Sequence, residues 1–158
     1  MKTYSTTLLK VCIVLIYIPF VTLSIIGFIG LIKNPVSPVY QAMLYPIVIG
    51  MYLSTIPLYY CLYQAFRMLN FIDKNVAFSN QSTEALKRIQ YGAFSFSLIY
   101  VILLPFVYWL AQKDDAPGLV IMGMVPVFGA FIIGVFAAVL KRILEDAIKI
   151  KSENDLTV

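Results

Sequence analysis

Four uncharged apolar runs, residues 11–32, 40–66, 89–110 and 119–140, are separated by segments that are short, charged or proline-bearing. As an α-helix rising 1.5 Å per residue, the 22 positions of the first run span roughly 33 Å, which matches a hydrocarbon layer about 30 Å thick. The pattern therefore predicts four membrane-spanning helices. Residues 33–39 contain Asn-Pro and Ser-Pro steps, which push the residue before each proline out of the helical region, and 111–118 ends in Pro-Gly. Both read as tight turns, so the helices pair as two hairpins joined through the polar stretch 67–88.

The polar flanks keep helical periodicity. Past the second run, Met68, Leu69 and Ile72 continue that helix beyond the membrane. Within 67–88, Ser79 or Ser82 can cap a new helix by accepting from its free backbone N–H groups, and Glu84 suits the positive end that begins there. Ala85, Leu86 and Ile89 then share one side, with Lys87 and Arg88 at the headgroup level. After the fourth run, Leu140, Ile143, Leu144, Ala147 and Ile148 lie on one face, and Lys141 with Glu145, and Glu145 with Lys149, are spaced for ion pairing. Residues 141–158 thus form an amphipathic tail. Its end, 153–158, reads as extended chain in which Leu156 and Val158 have no helical reason to be apolar.

Composition and charge turn this pattern into a topology. With 61% hydrophobic and 13% charged residues among 158, against about a quarter charged in soluble domains, residues 1–158 form a single integral membrane domain. Ten of the twelve Lys and Arg flank one set of helix ends: Lys2, Lys10, Arg67, Lys74, Lys87, Arg88, Lys141, Arg142, Lys149 and Lys151. Only Lys33 and Lys113 flank the other. The excess puts both termini and the central stretch in the cytoplasm, and accounts for the net charge of +4 without nucleic acid. Lys2 and Lys10 precede the first run as they would in a signal peptide, but the run is too long and lacks a small-x-small cleavage site, so it reads as an uncleaved anchor. Lys33 and Pro46, like Lys113 and Pro126, are 13 positions apart, and both hairpins overshoot into the cytoplasm. That is either a parallel two-plus-two repeat about the membrane normal or what two hairpins of one plan produce by necessity.

Candidate chemistry is sparse. Enzymes and proton-coupled transporters of the membrane use ionisable groups at depth, and the four runs hold no Asp or Glu, which sets aside the embedded carboxylate of small multidrug exporters. Absence of histidine removes imidazole-ligated haem, the common zinc sites and histidine proton relays. Cys12 and Cys61 stand far apart inside apolar runs and read as small buried hydrophobes. No catalytic residue, metal or cofactor is expected. Pro19, Pro46, Pro57, Pro105 and Pro126 put at least one proline in every span. Such prolines kink helices and can open a cavity, or are absorbed by neighbours. Tyr52, Ser54 and Thr55, near mid-span, are the candidate ligand-binding residues, while tyrosines nearer span ends and Gln64 suit the interface or hydrogen bonds between helices. Gly27, Gly30, Gly123, Gly129, Ala130 and Gly134 allow close helix approach within the molecule.

Phe78 and Ser79 followed by Leu86, Arg88 and Ile89 ahead of the third run, and the ending Glu153-Asn154-Asp155-Leu156-Thr157-Val158 after an amphipathic helix, resemble the YoaS-like family of uncharacterised bacterial four-span membrane proteins. The span plan matches along the whole chain. The family pattern usually carries Pro before that Phe and Asn four after it, where Ala77 and Ser82 stand here, which implies a looser segment. The resemblance implies an all-α, four-helix membrane bundle in a bacterial plasma membrane and, since such proteins are frequently encoded beside a small Cro-like helix-turn-helix regulator, a soluble partner. On that reading Phe78, Ser79, Leu86, Arg88, Leu156 and Val158 are the partner-binding candidates. The expected function is non-enzymatic: a regulatory or sensory membrane protein holding a small cytoplasmic partner. The alternative is a transport accessory that binds a small molecule or lipid in a proline-kinked bundle.

Overall fold

A computed structural model describes residues 2–33, 36–74 and 76–155, and among these residues every regular element is helical. The order is α1 (Lys2–Lys33), α2 (Gln41–Asp73), α3 (Asn80–Lys113) and α4 (Gly118–Asp155). The last three are long and apolar enough to cross a bilayer. Each helix outruns its apolar run at one end, called here the basic end. α1 begins ahead of its run, α2 continues to Asp73, and α3 starts before its run. α4 runs on to Asp155. The expected extended tail is thereby corrected for Glu153, Asn154 and Asp155, which are helical because no Gly or Pro interrupts 135–155. Leu156 and Val158 lie outside the described residues.

The opposite end carries the two short connectors. Asp115 adopts φ 50°, a left-handed conformation that Asp tolerates better than most side chains, and the Ala116 N–H closes α3 on the Ala111 carbonyl at 2.9 Å. Lys113 Nζ donates to the Val39 carbonyl at 2.7 Å and lies 4.7 Å from the Tyr40 ring centroid. The Tyr40 hydroxyl donates to Asp114 Oδ1 at 2.9 Å. These contacts tie the two connectors together. At the basic end, Ser79 is the N-cap of α3, extended at φ −141° and ψ 155°, with its Oγ accepting from the Ser82 N–H at 3.4 Å. One of the two expected caps is thus the actual one.

Helices pack in chain order, α1 on α2, α2 on α3 and α3 on α4, with no other pair in contact among the described residues. The expected bundle is therefore open: α3 lies between α2 and α4, and α1 stands on the far side of α2. Small residues set this order. A Cβ on Gly50 would overlap the Leu103 side chain, one on Gly92 would overlap Cys61 Sγ, and Gly134 lies beneath the Phe94 ring. Ser97 Oγ adds a bond from α3 to the Val127 carbonyl of α4 at 3.0 Å. By contrast, Gly30 of α1 and Gly129 of α4 face open space, so of the expected packing glycines Gly123 and Gly134 serve a seam, while the surroundings of Gly27 lie outside the described residues. Cys12 is exposed, against the expectation of burial, because no helix covers that side of α1. Large apolar residues such as Ile121, Val125, Ile132 and Phe136 face outward along α4. Faces of that kind are stable only against lipid or another protein.

Candidate functional site

The three residues expected to line a pocket are not brought together. Successive helical positions turn by about 100°, so Ser54 points away from Tyr52, at about 160°, while Thr55 lies about 60° from Tyr52. The Tyr52 ring meets Phe28 of α1 edge-on, centroids 6.1 Å apart. Ser54 Oγ donates to the Met51 carbonyl at 2.7 Å and Thr55 Oγ1 to the Tyr52 carbonyl at 2.6 Å. The Ser54 and Thr55 hydroxyls are satisfied by their own helix, and none of the three residues lines either groove described next.

Space opens instead in two grooves between helices. Near the turn end, a groove of about 330 Å³ runs over α3 between α2 and α4, lined by Ile47, Met51, Tyr100, Leu104, Met122 and Pro126 among others, with Gly123 leaving room on α4. Toward the basic end, a groove of about 390 Å³ lies between α1 and α2, lined by Ile13, Val14, Tyr59, Leu62, Tyr63 and Phe66. Its rim is charged. The Lys10 ammonium pairs with Asp73 and lies 5.6 Å from the centroid of Phe66, while the Arg67 guanidinium is 5.4 Å from the Phe71 ring.

The basic end also holds the described partner-binding candidates. Phe78 is 64% exposed in the break between α2 and α3, beside exposed Val76. The Ser79 hydroxyl is engaged in capping, and Leu86 is 3% exposed, buried in the helix packing and not on a surface. Arg88 pairs with Glu84, whose hydrogen bond and charge raise the guanidinium pKa further and keep it charged. On α4, Leu144, Ala147 and Ile148 are half-buried, whereas Ile143 and Ile150 face outward.

Two features went unread in the sequence. The Lys10–Asp73 pair had a signal, opposite charges at the adjoining ends of a hairpin. Gln64 is 1% exposed, and its Oε1 is buried with no hydrogen-bond partner. Its presence in an apolar run was visible, its burial was not.

A family described as protein of unknown function (DUF2975) matches residues 31–158. The uncharacterized membrane protein YoaS of Bacillus subtilis (strain 168) is 45% identical over 166 aligned positions that cover the whole of both chains. No solved structure matches.

Proposed function

This chain belongs to the DUF2975 family and is a membrane protein, and on that premise we propose that it is a non-enzymatic, four-span regulatory protein of the bacterial plasma membrane whose cytoplasmic face holds a small soluble partner, a helix-turn-helix DNA-binding regulator. Both termini and the α2–α3 break lie in the cytoplasm, since ten of twelve cationic residues flank that end. We read the shared plan of the two hairpins, with Pro46 in α2 and Pro126 in α4, as what two hairpins of one design require. Supporting the partner is one observation above others. Phe78 is a large aromatic residue, 64% exposed, in a polar segment outside the apolar runs, where none of the described helices covers it.

Affinity capture from native membranes tests this reading with the full-length chain, a deletion of 154–158 and Phe78→Ser. All three insert in the membrane, because the spans set insertion, and the two variants lose the regulator that the full-length chain retains. An unchanged set of captured proteins removes the docking role. Finding no soluble protein with any of the three also overturns it, and favours the second reading, a transport accessory holding a small molecule or lipid, which the 330 Å³ apolar groove supports.

A further inference from the structure

We propose that the groove between α1 and α2 holds one anionic phospholipid, an acyl chain lying along Ile13, Val14, Leu62 and Tyr63 and the phosphate at Lys10 and Arg67. The groove is mostly apolar, with Tyr59 and Tyr63 the lining residues that bear hydroxyls, so water gains few partners there, and an empty space would forfeit the dispersion contacts of its walls. Among the described residues α1 packs on α2 alone, which leaves the groove open to the surrounding bilayer. A lipid chain is the occupant that such a site meets continuously.

Charge at the rim selects the headgroup. Lys10 is one turn toward the basic end from Ile13 and Val14, and its ammonium lies over the ring of Phe66, itself a wall of the groove. Of its three N–H donors, Asp73 engages one side. Arg67 is one turn beyond Tyr63, and among the described residues its guanidinium meets only the Phe71 ring, leaving its in-plane donors for a phosphate. Two cations against one carboxylate leave the rim positive. The turn-end groove is the contrast. Its neighbouring Lys113 already donates to Val39 and is followed by Asp114 and Asp115, so that rim does not favour an anion. Naming the leaflet, the cytoplasmic one, rests on the orientation proposed above. The lipid preference does not.

Native mass spectrometry of the full-length chain, delipidated and then released from nanodiscs with equal phosphatidylglycerol and phosphatidylcholine, reads the preference directly. The wild-type chain retains one phosphatidylglycerol in marked preference to phosphatidylcholine. Arg67→Gln lowers that preference about fivefold, the factor one basic side chain supplies near a membrane surface. Leu62→Trp, which fills the groove, abolishes retention, while Met122→Trp in the turn-end groove behaves as wild type. Circular dichroism confirms that each variant stays helical, and Arg67→Gln carries the test alone if the tryptophan variant does not fold. Equal retention of the two lipids by the wild type, a preference unchanged in Arg67→Gln, or a lipid-free dimer in which a second chain covers the groove would each overturn the proposal.

Discussion

Gln64 lies among the best-buried side chains of the molecule, 1% exposed, yet its amide oxygen accepts no hydrogen bond. An unpaired carbonyl in a low-dielectric interior costs about 1–3 kcal/mol. Gln64→Met keeps the length of the side chain and removes both polar atoms, so it raises the thermal midpoint of the detergent-solubilised protein by several degrees. A fall would mean that the amide serves a bound molecule. The residue's polarity was legible in an otherwise apolar run, and a bond across helices was the natural expectation. Which neighbours surround position 64 depends on the rotation of α2 against α3, and no local pattern records that. Ser54 and Thr55 show the opposite case. A hydroxyl in an apolar helix is commonly satisfied by a carbonyl of the preceding turn, as both are at 2.7 and 2.6 Å, and their offsets from Tyr52, about 160° for Ser54 and about 60° for Thr55, follow from helical geometry alone.

Helix extents outreach the apolar runs because hydropathy reports lipid contact, whereas a helix ends only where its backbone finds a cap or a breaker. Ser79 was readable as such a cap: an oxygen-bearing side chain placed before the Ala85, Leu86 and Ile89 face. In the fold it adopts the extended backbone of an N-cap and accepts from Ser82 N–H. The Ser82 hydroxyl instead reaches the Val76 carbonyl at 3.5 Å and is 1% exposed. Ser79→Ala therefore removes a capping bond of about 1 kcal/mol. Hydrogen exchange of the amides in the first turn of α3 quickens, while the Ser97–Val127 region stays protected. Equal exchange in the two proteins would mean that Ser82 takes over as cap. The length of α4 was less visible: ion-pair spacing suggested helix past residue 140, and Lys141 Nζ does lie 3.5 Å from Glu145 Oε1. The final polar residues, however, carry no periodic apolar signal from which to read their conformation.

Long apolar helices and their separation into hairpins were readable from hydropathy, but the open arrangement was not. It depends on pairs such as Gly50 with Leu103 and Gly92 with Cys61, far apart in sequence and meaningful only once the helices face each other. The same contacts make orientation a property of the whole molecule. Tyr40–Asp114 and Lys113–Val39 bind the two turns to one another, and Lys10–Asp73 joins α1 to α2 at the basic end. The two hairpins therefore keep their turns on a common side, and one measurement orients both. In a background with Cys12 and Cys61 replaced by alanine, single cysteines at Ser37 and Pro117 label in intact cells with a membrane-impermeant thiol reagent. Cysteines at Lys74 and Ser152 label only after permeabilisation. Labelling of Lys74→Cys or Ser152→Cys in intact cells would reverse the proposed orientation, and labelling of Ser37→Cys without Pro117→Cys would separate the two hairpins and contradict the bonds that join their turns.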